Sequence, residues 1–267
     1  MPPSVQPPPI TPQSFDVMHV AAAGRGLSSR LCAEAFGAEF PAEVDPSSSC
    51  TWSVLGEMVK ALRLRPDDLL VDLGCGRGGT GLWLARAFSA RLTGVDFSPK
   101  AVELATARIA EFFPQPDLAE KISFQVGSFE QSGLPDACAS GVVSIDALPF
   151  TPDRDKALRE LNRIMKPGAR AVFTAGRKLP GHPSYQPGQP SWEEQIVAAG
   201  LELEAEIDRP EEAELWNRLH GLWLSHEGEL RQENGDADTD DRVDEARRNG
   251  PLRPYRTASI FVVRAAD

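Results

Sequence analysis

The stretch LLVDLGCGRGG, residues 69–79, narrows the folds open to this chain more than any other. An apolar run is interrupted by an acid at Asp72 and then breaks into glycine at Gly74, Gly76, Gly78 and Gly79. Such a run reads as a buried strand that stops at a turn whose missing side chains let a ligand or a helix approach the backbone closely. A helical stretch follows at once, from Thr80 to Phe88, and the strand-then-helix rhythm continues. Further strand candidates are Leu92–Asp96, Ile122–Val126, Val142–Ala147, Ala171–Ala175, Leu201–Ile207 and Ser259–Val263, with helical stretches at Pro99–Phe112 and Arg154–Met165 between them. Strands alternating with helices demand parallel neighbours and helices on both faces of the sheet. The expected fold class is therefore α/β, a doubly wound Rossmann-like sheet.

The glycines satisfy two patterns at once. Gly74, Gly76 and Gly79 fit GxGxxG, the dinucleotide fingerprint, while Gly74, Gly76 and Gly78 fit GxGxG. Chemistry arbitrates. A pyrophosphate wants bare amides and a helix N-terminus, and Asp72 sits two residues before the first glycine, where its carboxylate suits a cationic guest. S-adenosylmethionine is such a guest, carrying an ammonium and a sulfonium and no phosphate. At the end of the second strand Asp96 can accept hydrogen bonds from both ribose hydroxyls, and Ser98 and Pro99 then open a helix. NAD would use the same acid, so an NAD-dependent oxidoreductase stays open on these residues alone.

Beyond the glycine turn, the chain resembles the class I S-adenosylmethionine-dependent methyltransferases. VDLGCGRGG is similar to their first motif, GVDFS to their second, VGSFEQSGLPDAC to the third strand and its loop, VVSIDALPF to the fourth strand, and ALRELNRIMKPGARAVFTA to the helix, KPG turn and fifth strand. Within that family it is similar to the small-molecule methyltransferases of bacterial secondary metabolism. The resemblance implies a seven-stranded sheet whose last strand, in RTASIFVVRA, runs antiparallel. It implies S-adenosylmethionine as cofactor and S-adenosylhomocysteine as product. Asp72, Gly74, Cys75 and Gly76 would surround the methionine moiety, Asp96 the ribose, and Phe97 the adenine. The family has an aspartate after glycine in its third motif; here Ser128 and Phe129 follow Gly127. Asp146 and Ala147 would lie beside the transferable methyl, with Leu148, Pro149 and Phe150 leading to the acceptor.

A base matters only where the acceptor must lose a proton, and the chain has four histidines and two tyrosines. His220, on one helical face with Trp216 and Trp223, is the preferred catalytic candidate beside Asp146. The bland alternative is that both tryptophans are core and His220 packs between them. Likewise Asp146 could serve only at a strand end, Phe97 only as core, and Cys75 only as a small packed residue. His182 and Tyr185 share a loop after the fifth strand, and His19 lies in the N-terminal segment.

Six prolines in MPPSVQPPPITP predict a disordered tail over residues 1–13. An N-terminal helical lid is expected over 14–65, with Thr51 capping a helix whose face is Trp52, Leu55, Met58 or Val59 and Leu62. The cofactor domain covers 66–207 and 257–267, and a cap insertion covers 208–256. Within that insertion QENGDADTDDRVDE reads as a solvated acidic loop joining helices.

With 39 acidic against 28 basic residues and a formal charge of -11, the average field repels nucleic acid and anionic membrane surfaces. The expected partner is a small-molecule substrate, with no nucleic acid, no membrane and a homodimer left open. Cys32, Cys50, Cys75 and Cys138 form no CxxC pair and have no histidine at zinc-ligand spacing, so no metal and a cytoplasmic location are expected. A cofactor-bound protein of the same fold that does not methylate, such as a cyclase, shares every cofactor motif.

Overall fold

The computed structural model describes Thr11, Pro12, Asp16, His19, Val20 and residues 26–267. The proline-rich tail lies almost wholly outside the described residues.

The strands are β1 (Leu69–Leu73), β2 (Arg91–Asp96), β3 (Ile122–Val126), β4 (Ala139–Ser144), β5 (Met165–Ala175), β6 (Leu201–Asp208) and β7 (Ser259–Ala265), in one sheet of order β3-β2-β1-β4-β5-β7-β6. Five are joined in parallel, and β7 lies antiparallel between β5 and β6. The expected seven-stranded sheet with an antiparallel last strand is thus the one observed. The helices are α1 (Leu27–Phe36), α2 (Trp52–Leu62), α3 (Gly79–Phe88), α4 (Pro99–Ala107), α5 (Arg154–Ile164), α6 (Trp192–Ala198), α7 (Glu212–Ser225), α8 (Glu227–Asn234) and α9 (Asp236–Asn249), with short turns of helix at Ile109–Phe112 and Pro116–Ala119.

Strand alternation splits the core into two layers. Val71 and Leu73 of β1 join Leu158, Leu161, Phe173, Trp192 and Phe261 on the side of α5 and α6. Leu70 joins Leu55, Met58, Leu82 and Leu92 on the side of α2 and α3. Asp72 shares parity with Leu70, so it is delivered against α3. Thr51 caps α2 by accepting from the Val54 amide at 3.2 Å. Trp52 and Val59 are each 37% exposed, so Val54 and Leu55 carry the buried face with Met58 and Leu62. Trp52 instead packs edge-on against Trp83 of α3, at 5.6 Å.

A third cluster lies apart from the sheet. Leu27, Leu31 and Phe36 of α1 pack with Leu215, Leu219 and Trp223 of α7, Leu230 of α8 and Ala246 of α9. The N-terminal helix and the insertion therefore share one small core. The acidic stretch is a correction to the expected loop: it is helical apart from Gly235, whose φ is +84°. Asp236 and Asp238 occupy the first turn of α9 and Arg247 and Arg248 the last, which suits the helix dipole, while Val243 and Ala246 are buried. Arg231 fans across Glu227, Asp236 and Asp240, offsetting the acidic run.

Candidate active site

Parallel strands end their chains at one edge, and there β1, β2 and β4 open into a cavity of about 560 Å³. Its walls include Asp72, Gly74, Cys75, Gly76, Asp96, Phe97, Ser128, Phe129, Asp146 and Ala147. Every residue expected around the cofactor is thus brought to one place, although these positions span more than seventy residues of sequence.

The glycine turn resolves the competing patterns. Gly74, Gly76 and Gly78 have φ of +72°, +50° and +74°, whereas Gly79 starts α3 and is not left-handed, so the GxGxG spacing is the conformational one. At Gly74 a Cβ would also come within 2.5 Å of the Ala147 methyl and 2.8 Å of the Phe129 ring. The turn is anchored to the neighbouring strand, with the amides of Gly74 and Cys75 donating to the Val95 carbonyl at 2.8 and 3.1 Å.

Asp72 is 2% exposed, and its carboxylate accepts from the Gly81 amide of α3 at 3.0 Å. A Cβ at Gly81 would sit 2.7 Å from that carboxylate oxygen, so glycine lets the helix settle on the acid. Burial, with the nearby Asp96 charge, pushes the Asp72 pKa up to about 7. Asp96 accepts from the amides of Gly76 at 2.8 Å and Ser98 at 2.9 Å, and burial raises its pKa too. Two desolvated carboxylates side by side hold unfavourable negative charge that a cationic guest relieves. Cys75 is buried and its thiol is held well above its ordinary pKa by that burial and the adjacent acids, so it packs as an inert residue.

Asp146 stands just beyond β4, which ends at Ser144 rather than continuing to Ala147. Its φ is +50°, a conformation that side chains rarely adopt and that surrounding bonds must enforce. Thr174 of β5 accepts from the Asp146 amide and donates to its carboxylate, both at 2.7 Å, and the Ser49 amide donates to the second oxygen at 2.6 Å. The carboxylate is therefore held as a structural pivot at the cavity wall. Ser128 accepts the Gln131 amide at 3.1 Å in a tight turn.

The histidines separate clearly. His220 does not line the cavity: it is 3% exposed, set between Trp216 and Trp223 with ring centroids 5.6 and 5.4 Å away. The preferred base is corrected to a packed residue of α7, because the stripe that suggested a closing face is that helix's buried face. His182 is buried in its loop and also outside the cavity, while Tyr185 is 39% exposed. His19 does line the cavity, over Gly76, and burial with the neighbouring Arg77 lowers its pKa to about 4.

Residues 45–48 also form a wall, one that motif reading missed. Arg77, inside the glycine turn, pairs with Asp45 at 3.0 Å, with both side chains buried, and donates to the Asp45 carbonyl at 2.8 Å and the Ser47 hydroxyl at 3.0 Å. At the other end Arg209 donates to the Ser49 hydroxyl and carbonyl at 3.0 and 2.6 Å. The sequence signal for it is Arg77 itself, a long charged side chain between two glycines of the turn. Among the described residues, no group of three or more His, Cys, Asp or Glu side chains is placed to hold a metal ion, and no helix is long and apolar enough to cross a membrane.

Residues 71–173 match the family model described as a methyltransferase domain. The chain is 36% identical over 109 residues to the 2-methyl-6-phytyl-1,4-hydroquinone methyltransferase of Synechocystis sp., covering 41% of this chain and 32% of that protein. It is 32% identical over 112 residues to the 27-O-demethylrifamycin SV methyltransferase of Amycolatopsis mediterranei, covering 42% and 40%. The chain thus spans well under two thirds of the length of the curated relatives it matches. Its fold superimposes on the [4+2]-cyclase SpnF with a TM-score of 0.71 at 17% identity, over 97% of both chains. Over residues 71–173, under half of its length, the chain is thus similar to methyltransferase domains.

Proposed function

We propose that the protein transfers a methyl group from S-adenosylmethionine to an oxygen, nitrogen or carbon atom of a small apolar or aromatic molecule. The observation that carries this reading is the pairing of Asp72 and Asp96 beside a glycine turn in one cavity, a donor set matched to a cation with a sugar attached. When bound, S-adenosylmethionine supplies a methyl group already activated on a sulfonium, so the protein's task is largely alignment and water exclusion. Asp72 offers its charge to the ammonium, Asp96 its free lone pairs to the ribose hydroxyls, and Phe97 with Ser128 and Phe129 the adenine wall. Asp146 and Ala147 border the methyl position, and Phe150, 53% exposed at the cavity rim, marks the acceptor's entrance. The α1 and α7–α9 cluster acts as a cap, tied to the cavity through Arg209 and Ser49. The same reading keeps the protein in the cytoplasm, where its four free thiols are at home.

Equilibrium titration with S-adenosylhomocysteine tests the cofactor assignment, and absence of saturable binding overturns it. The likeness to the [4+2]-cyclase favours one rival, a protein that binds the cofactor and does not methylate. Transfer of labelled methyl into extracts containing candidate acceptors decides between them.

A further inference from the structure

The carboxyl edge of β5 carries a cluster of cations that the cofactor site does not use. Directly beyond β5, Lys178 forms an isolated antiparallel bridge with Arg256, which sets their backbones side by side. The Leu179 amide donates to the Tyr255 carbonyl at 2.8 Å and the Thr257 amide to the Arg177 carbonyl at 3.0 Å, so the pairing is built into the backbone. Arg154 joins from the start of α5, two residues beyond Pro152 of the cavity wall, with its guanidinium 3.9 Å over the Trp192 ring. Trp192 in turn donates to the Gly176 carbonyl at 3.2 Å, which brings Arg154 and the β5 edge onto one surface.

In a chain of net charge -11, cations should find acids easily. Among the described residues Lys178, Arg256 and Arg154 have no carboxylate within ion-pair distance. The nearby acids are engaged elsewhere: Glu212 takes Arg253 at 3.0 Å, Glu245 faces His220 at 3.8 Å, and Asp155 accepts from Gln195 at 2.8 Å. Among the described residues the hydrogen bond of Arg154 is a neutral one, to the Gln195 side chain at 3.0 Å. Among the described residues two buried side chains near this edge keep nitrogens without hydrogen-bond partners, Nε2 of His182 and Nε of Arg253. Burial lowers the pKa values of Lys178, Arg256 and His182. Arg256 and Arg154 add repulsion at Lys178, Arg256 and Lys178 at His182, and Arg253 at Arg256, where Glu212 and Glu245 act in the opposite direction.

We infer that Lys178, Arg256 and Arg154 form an anion-recognition site at the acceptor's entrance, which takes a carboxylate or a phosphate ester borne by the acceptor away from its methylated atom. This rests on the methyltransferase reading above and sharpens its substrate class: an apolar body in the cavity and an anionic tag on the rim. Two guanidinium groups and an ammonium on a water-exposed edge suit a multidentate oxyanion.

The test uses the full-length protein and two probes, inorganic phosphate and benzoate, titrated at ionic strength held constant with sodium chloride. The reading is the rise in unfolding midpoint, which reports binding to the folded state. At least one probe should raise the midpoint beyond chloride, and which one does so separates a phosphate-bearing from a carboxylate-bearing acceptor. In K178Q/R256Q the apparent dissociation constant should rise about tenfold or more, as expected when charge-assisted contacts are lost. The ligand-free double variant should unfold no earlier than the parent, since like charges are removed. R65Q, at the opposite edge of the sheet, should leave the response intact. The proposal is overturned if neither anion exceeds chloride, if the response survives in K178Q/R256Q, or if R65Q abolishes it equally. S-adenosylhomocysteine titrated into the same preparations keeps the two readings distinct. Cofactor binding without an anion response sinks this site alone, and loss of cofactor binding in the parent sinks the methyltransferase reading.

Discussion

The glycine-turn cavity and the helical cap both hold buried polar groups, but they satisfy them in different ways. In the cavity each key carboxylate is bonded to backbone amides: Asp96 to Gly76 and Ser98, Asp72 to Gly81. In the cap His220 and the Trp223 indole are set among rings; among the described residues both His220 nitrogens and the indole nitrogen find no hydrogen-bond partner, and Glu245 stands 3.8 Å from His220 Nε2. Backbone-anchored groups need particular residues at particular spacings, because the turn conformation and the bond are one unit. Groups buried by packing need only shape and volume, which many residues supply. The contrast teaches why motif residues at the sheet edge announced a site while an aromatic stripe on α7 imitated one.

That contrast breaks most visibly at Gly74. Gly74→Val should abolish S-adenosylhomocysteine binding and cost about 3 kcal/mol or more of stability, from a strained left-handed residue and overlap with Ala147 and Phe129. Denaturant unfolding measures it, and a variant as stable as the parent would show that the turn is plastic. Arg77→Met probes the link between the turn and the wall formed by residues 45–48. Removing one partner of the buried Arg77–Asp45 pair should cost about 3 kcal/mol by the same measurement, and Arg77→Met with Asp45→Asn should recover part of that loss.

Asp96→Ala should weaken S-adenosylhomocysteine binding by roughly thirtyfold to a hundredfold, the scale of lost hydrogen bonds to a charged group. Calorimetric titration reads this directly.

The raised Asp72 pKa gives a pH signature of known sign. The unfolded chain loses this proton near 4 and the folded chain keeps it to about 7. Between those values the folded state binds more protons, so stability contributed by this group falls as pH rises from 4 to 7 and is level above. A cationic cofactor favours the ionised acid, so affinity should rise by up to about tenfold per pH unit below 7 and flatten above it, with proton release on binding. Asp72→Asn should flatten both profiles, and an unchanged affinity profile in that variant would remove Asp72 from cofactor binding.

The smallest effect is expected in the cap. His220→Asn should leave S-adenosylhomocysteine affinity within about twofold of the parent, because it touches neither cavity nor cofactor wall, and lower stability by about 1 kcal/mol. A large loss of affinity would erase the distinction between the two regions.

Much of the sheet was legible in one dimension. β1 and β3 fall on the expected residues, and the helix over Arg154–Ile164 ends one residue early. Period-two and period-3.6 patterns are local properties, and so are caps such as Ser98 and Thr51. The pattern places β4 at Val142–Ala147, three residues beyond its observed span Ala139–Ser144, because IDA continues the apolar run, whereas Asp146 is turned aside by bonds to Thr174 and Ser49, distant in sequence. Helix α9 was read as a loop because its acidic composition says nothing of Arg231, which offsets the acids from a preceding helix.

From the order of its residues alone the chain settled a parallel sheet, the glycine turn and the two acids at its edge, since each depends on neighbours within a few positions. Only the folded molecule decided that Arg77 and Arg209 clamp residues 45–49 against the cavity and that His220 belongs to the cap. Those outcomes depend on which surfaces meet across 30 to 160 positions of chain. Burial and pairing at such range are set by how elements pack, and no short stretch of sequence carries that information.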